Sequence, residues 1–291
     1  MQLEGVLVPI VTPFNAAGKL DLDALTGLVN HFVDAGVAGI VACGTTGEYY
    51  ALDEDERQAV LETVFKAVAG RVSTIAGINA LSTDTSIRYA QQAKAIGYEG
   101  LMLAAPPYSL PEQDGIIAHF KKVAKSTDLP IVLYDFPSRV GVQIAIETVQ
   151  ELAKVPNIVA IKESSGNFNR ALALLQLNIP DFDIISGSDD MAADFLFWGA
   201  KGWISGGANV FPKEQADMFK AAKQNDWTTV RHLMAAMYPV IQSMEASDYN
   251  QKAKFGCYRH GIQAGTVRLP LVDMTEQSKL EFKTLLDAFK A

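Results

Sequence analysis

Lys162 ends the run Asn157-Ile158-Val159-Ala160-Ile161, which opens on a Pro-Asn turn signal and is followed by Glu163-Ser164-Ser165-Gly166. Short apolar runs rich in Val and Ile, bounded by turn residues, read as strands buried on both faces. An ammonium is costly to desolvate, so a lysine placed there should lose proton affinity and gain nucleophilicity. That is the chemistry of a Schiff-base lysine. A strand-end lysine that snorkels to water or pairs with a carboxylate is the plain alternative, and this stretch alone leaves both open. The ends of other apolar runs carry Thr45 and Thr46, Tyr108, Tyr134 with Arg139, Gly187, and Ile204. Hydroxyls, phenols and a guanidinium can hold a carboxylate and move protons, and glycines let backbone amides come close to it. Each also has a bland reading: a turn for Gly44-Thr45-Thr46-Gly47-Glu48, a core aromatic for Tyr134, a surface cation for Arg139. Asp189 and Asp190 read as a helix N-terminus rather than a metal site.

The elements needed to position these residues alternate regularly. The first strand is Val6-Leu7-Val8-Pro9-Ile10, and an amphipathic helix over Leu22 to Ala35 follows it. Strands are expected at Gly39–Cys43, Ser73–Ala76, Gly100–Ala104, Ile131–Tyr134, up to Lys162, at Phe182–Ile185 and at Gly202–Ser205. Helices should cover Asp53 to Ala69, Thr83 to Ile96, Glu112 to Ser126, Ala145 to Lys154 and Asn169 to Leu177, with another starting near Asp190. Eight such units predict an α/β fold, a (β/α)8 TIM barrel. No Gly-x-Gly-x-x-Gly follows the first strand, which argues against a doubly wound dinucleotide-binding sheet. Beyond Pro212 the pattern is helical. The expected division is therefore a barrel over 1–215 carrying the active site and a helical appendage over 216–291 packed on it. Active sites of such barrels form at the carboxyl ends of the strands, where the residues above lie. Position thus singles out Lys162 among the lysines, most of which fall in helical, solvent-facing patterns.

The 291 residues are 49% hydrophobic and 20% charged with a net charge of -8, which suits a soluble globular protein and disfavours nucleic acid as a partner. No apolar run approaches the ~20 residues of a membrane span, so no membrane partner is expected. The first residues show no basic leader or cleavage signature, and a cytoplasmic location is the default expectation. The four histidines, His31, His119, His232 and His260, fall in helical segments. That disfavours a histidine-held metal or a histidine general base, and neither a metal nor an organic cofactor is expected.

Three stretches carry a further signal. Gly44-Thr45-Thr46-Gly47-Glu48, Tyr134-Asp135-Phe136-Pro137-Ser138-Arg139-Val140-Gly141 and Ile161-Lys162-Glu163-Ser164-Ser165-Gly166 resemble, in order, the signatures of the dihydrodipicolinate synthase / N-acetylneuraminate lyase family. The resemblance extends over essentially the whole chain. It implies a class I lyase or synthase in a homotetramer or homodimer, in which Lys162 forms a Schiff base with pyruvate or another 2-oxo acid. It further implies that Tyr134 relays protons with its acidity raised by the nearby cation, that Thr45 and Thr46 hold the 2-oxo acid carboxylate and the relay, and that Tyr108 completes a neighbouring subunit's relay. Arg139 resembles the arginine with which synthases of the family hold the carboxylate of aspartate semialdehyde, so condensation of pyruvate with that aldehyde is the leading expectation. Departures at Asp135, Phe136, Val140, Pro107 and Tyr49-Tyr50 point instead to a 2-keto-3-deoxy sugar acid or a hydroxylated pyrroline carboxylate that is deaminated. A ligand-sensing barrel without turnover is the reading from a different class.

Overall fold

A computed structural model describes residues 1–290. Eight parallel strands close a barrel in sequence order: β1 (Gly5–Pro9), β2 (Gly39–Ala42), β3 (Ser73–Gly77), β4 (Gly100–Ala104), β5 (Ile131–Asp135), β6 (Ile158–Glu163), β7 (Asp183–Ser186) and β8 (Gly202–Ile204). The seam is β1 against β8, with Gly5 opposite Gly202 and Leu7 opposite Ile204. The strands are buried almost throughout, because helices cover the outer face while side chains fill the interior.

Between the strands run α1 (Leu22–Asp34), α2 (Glu54–Val68), α3 (Thr83–Ile96), α4 (Gln113–Lys125), α5 (Pro137–Val140), α6 (Ile146–Leu152), α7 (Phe168–Gln176) and α8 (Ala192–Phe197). The local reasons are visible in the sequence. α1 turns Leu25, Leu28, Val29 and Phe32 to the barrel. α2 starts in a reciprocal cap, where Asp53 accepts from the Glu56 amide and Glu56 from the Asp53 amide. α3 starts on Ser82 and ends at Gly97 in the left-handed region. Two differences from the expected elements bear on the site. The single turn α5, set by a proline at its first position, was not foreseen and carries Arg139. The helix expected near Asp190 begins at Ala192 and takes no side-chain cap.

After β8, α9 (Pro212–Lys223) packs against β1 and completes the outer ring, so this helix runs through residue 215. α10 (Trp227–Ala246), α11 (Tyr249–Gly256) and α12 (Glu276–Ala288) form the helical region. It is tied to the barrel by charge. Lys254 reaches inward to Glu48, 2.5 Å away, and donates to the Thr266 carbonyl. The Arg268 amide donates to Glu48 as well, while its guanidinium pairs with Glu56 and lies 4.0 Å over the Phe14 ring. No helix among the described residues is long and apolar enough to cross a membrane.

Two strand ends are held by one cation. β5 and β6 pair so that Tyr134 lies opposite Lys162 and Asp135 opposite Glu163, with a register shift at Ile131/Val132. Residues alternate in facing along a strand, so Tyr134 and Lys162 face the barrel interior while Asp135 and Glu163 face the helices. There Arg170 of α7 meets both, at 2.8 Å from Asp135 Oδ2 and 3.1 Å from Glu163 Oε2, and donates to the Ile144 carbonyl. All three charged side chains are buried, at 7%, 0% and 1% exposure. Removing the cation would strand two carboxylates without solvent. Arg170→Met is therefore predicted to lower the unfolding free energy by about 3–5 kcal/mol, measured by urea denaturation. A loss under about 1 kcal/mol would show that the two carboxylates find other partners.

Candidate active site

The carboxyl ends of the strands open into a cavity of about 460 Å3. Its floor is Lys162. The side chain is 5% exposed, and its Nζ lies 4.2 Å from the centre of the Tyr134 ring. Burial lowers the amine pKa to about 8, while the charges of Asp189 and Glu245 oppose the fall. The lysine thus gives up its proton far more readily than an exposed one and has a larger share of the nucleophilic free amine near neutral pH, as its place at a strand end predicts.

Tyr134 is 4% exposed and stacks on Phe136, ring centres 5.5 Å apart. Its acidity departs from the expectation. Desolvation dominates and pushes the phenol well above its ordinary pKa. The neighbouring hydroxyls of Thr45 and Ser164, and the charge of Arg139, pull it only part of the way back. Tyr134 is accordingly a neutral hydroxyl that can donate and accept in turn, not a standing phenolate.

Thr45 and Thr46 line the same cavity from the turn after β2, and Arg139 lines it from α5. Gly187, just past β7, lies where a side chain would collide with the lysine. A Cβ there would come within 2.9 Å of Lys162 Cε and 1.9 Å of Ser164 Oγ. Glycine here is a spatial requirement for the reacting amine. Two expected residues do not join them. Ile204 is fully buried and does not line the cavity, whose wall at that point is Gly206. Tyr108 is 92% exposed, in the left-handed region at φ 71°, away from the cavity of its own chain.

Several contributors were missed by sequence reasoning. Ser164 lines the cavity with its Oγ buried and unpartnered. Asp189 is not a helix cap. It accepts from Trp203 Nε1 at 2.9 Å, from the Gly207 amide at 2.8 Å and from Tyr249 Oη at 2.6 Å, joining β7, β8 and α11 beneath the site. The segment Met244–Asn250, where α10 gives way to α11, forms the remaining wall with Glu245. Asn250 holds it in place by donating to the Thr45 carbonyl and the Tyr50 hydroxyl. Tyr49 and Tyr50 line an adjoining annex of about 320 Å3 that shares Thr45, Tyr134 and Arg139 with the main cavity. A Ser-to-helix sequence offers little to announce such contacts.

This arrangement can attack a ketone. An amine whose proton is easily lost beside a neutral phenol, with hydroxyls and a guanidinium around the rest of the cavity, suits imine formation with a small carboxylate-bearing carbonyl compound. Pyruvate with borohydride should leave one reduced adduct on Lys162, seen by peptide mass mapping. Only the unprotonated amine attacks, and its pKa is lowered, so the trapping rate should rise with pH through about 8 and level off above it. A rate still climbing toward pH 10 would contradict the desolvated site. Gly187→Ala should slow trapping by about tenfold or more, because overpacking of this kind costs about 1–3 kcal/mol; an unchanged rate would mean that the lysine has room to move.

Comparison with known proteins agrees with this chemistry. The chain resembles the 4-hydroxy-tetrahydrodipicolinate synthase of Methanospirillum hungatei, at 35% identity over 98% of this chain and 99% of the relative. It resembles that of Moorella thermoacetica at 38% identity over 96% of each. Among solved structures, a dihydrodipicolinate synthase from Bacillus anthracis superposes with a TM-score of 0.96 at 32% identity, covering 100% of both chains. A dihydrodipicolinate synthase from Acinetobacter baumannii, solved with pyruvate, superposes at 0.95 with 31% identity over 99% of each. Residues 2–289 match the dihydrodipicolinate synthetase family, and the chain belongs to it, a family of lyases of the class I aldolase type.

Proposed function

We propose that the chain condenses pyruvate with aspartate semialdehyde, acting as a 4-hydroxy-tetrahydrodipicolinate synthase. The observation that carries this is the Lys162–Tyr134 pair at the floor of a cavity that also presents Arg139. Lys162 adds to the pyruvate ketone and loses water to give an iminium, which acidifies the adjacent methyl group. Loss of a methyl proton gives an enamine whose carbon attacks the aldehyde. Tyr134, between the hydroxyls of Thr45 and Ser164, is the group that carries protons to and from these centres. Thr45 and Thr46 hold the pyruvate carboxylate, with Gly187 leaving space beside the amine, and Arg139 grips the carboxylate of the second substrate with two parallel hydrogen bonds.

The same reading makes the working enzyme a homodimer or homotetramer. Tyr108, at 92% exposure, stands free to reach a second copy, whose proton relay it would complete. A cytoplasmic setting accords with the two free, buried cysteines Cys43 and Cys257. One observation favours a second reading, a 2-keto-3-deoxy sugar acid as substrate: the annex beside Tyr49 and Tyr50 extends the cavity beyond the needs of a four-carbon aldehyde.

Tyr134→Phe should lower kcat by roughly 10²–10⁴, the range for loss of a general acid/base, and a change below threefold would place the relay elsewhere. Arg139→Ala separates the two substrate readings. Loss of a charged hydrogen-bonded pair should cost about 2–4 kcal/mol of transition-state binding, or roughly 30- to 1000-fold in kcat/KM for aspartate semialdehyde. Pyruvate trapping at Lys162 should survive. If trapping and turnover fall together, Arg139 is structural. If neither falls, the second substrate lacks the carboxylate, and the sugar-acid reading moves ahead.

A further inference from the structure

Glu245 takes no part in the chemistry above, yet it faces it. It sits in the last turn of α10 and lines the cavity together with Lys162, Arg139 and Ser164. Its charge acts on both Lys162 and Arg139. The other acids of the cavity region are committed elsewhere. Asp189 is saturated by Trp203, Gly207 and Tyr249, and Asp190 accepts from its own turn at the Met191 amide. No hydrogen bond engages Glu245 among the described residues, and its side chain stands exposed at the mouth of the cavity, where partial loss of solvation and the charges of Asp189 and Asp190 raise its carboxyl only as far as solvent allows.

A guanidinium and a free carboxylate on one small cavity form a complementary pair for a zwitterion. On the synthase reading above, we propose that Glu245 is a catalytic and specificity-determining residue that binds the ammonium of a β-amino aldehyde, whose carboxylate Arg139 holds, and takes the proton that frees this amine to displace Lys162. The step balances without any further reagent. After the carbon–carbon bond forms, the adduct remains on Lys162 as an iminium. The substrate ammonium gives a proton to Glu245, and its nitrogen lone pair forms a bond to the iminium carbon, whose π electrons move to the lysine nitrogen. A proton passes from the new ring nitrogen to the lysine nitrogen. The carbon–nitrogen bond to lysine then breaks as the ring C=N forms, and Lys162 leaves as a neutral amine. The ring iminium and Glu245 return their protons to solvent at the open mouth. An aldehyde without the amine can form the carbon–carbon bond but cannot release the lysine by this route.

The test compares wild type with Glu245→Gln, using pyruvate with aspartate semialdehyde or with succinic semialdehyde, which lacks the amine. Borohydride quenching and peptide mapping report what is attached to Lys162. The variant should still yield the pyruvyl adduct, which also shows that it is folded. With aspartate semialdehyde its turnover should fall about 10²-fold, and the heavier two-substrate adduct should accumulate on Lys162. With succinic semialdehyde the two-substrate adduct should form equally in both proteins. Turnover of the variant within threefold of wild type, or an equal loss of adduct with both aldehydes, would overturn the role of Glu245 and leave the synthase reading standing. Absence of wild-type turnover with aspartate semialdehyde would overturn that reading, and this inference with it.

Discussion

Burial of one ammonium group organises this molecule. Lys162 lies at 5% exposure in a protein interior that disfavours its charge, and its pKa falls to about 8 as a result. A fold must surround such a group completely without filling the space a substrate needs. The barrel does so by placing the amine at the floor of a cavity, over a phenol ring on the neighbouring strand and beside a glycine that cannot be enlarged. The outer-facing neighbours on those strands are charged, and their pairing with Arg170 fixes the ends of β5 and β6 from behind. Reactivity inside the barrel and ion pairing outside it are two faces of the same pair of strands.

Much of this was legible in the sequence because the barrel obeys simple periodicities. Apolar runs ended at Thr45, Tyr134, Lys162 and Gly187, and a parallel barrel brings such ends to one mouth. What escaped was set by contacts between distant segments. Asp189 resembles a helix cap by its position, yet its acceptors serve Trp203 on β8 and Tyr249 on α11, partners that no local pattern announces. Arg170 reads as an ordinary helical arginine until the register of β5 against β6 is known. Tyr134 shows the limit of reasoning from charge alone: the cation is near, but desolvation outweighs it. Ile204 ends its strand as expected and is nonetheless sealed within the core.

The helical region proves more than a cover. Its Met244–Asn250 segment forms a wall of the cavity, and Glu48, in the turn that follows the threonine pair, is held by Lys254 of α11 and by Arg268 from beyond it. The barrel presents an amine and hydroxyls, groups that suit any small 2-oxo acid. On the proposed reading, charge selection for a second substrate is shared between the short turn α5, which carries Arg139, and the end of α10, which carries Glu245. Such a division lets the two halves of a reaction be altered separately, because the residues that form the imine and those that meet the aldehyde sit on different elements.

The register shift between β5 and β6 carries one more implication. Ile131 pairs with Ile158, but Val132 pairs with Ala160, so Val159 is the extra residue that brings Lys162 level with Tyr134. Facing alternates with every residue, and a one-place slip exchanges the inner and outer sets. Without that single valine, the amine would swing into the helix layer and Glu163 would point into the barrel. The strand is thus a parity lock, in which a change in length by one residue trades a nucleophile for an acid.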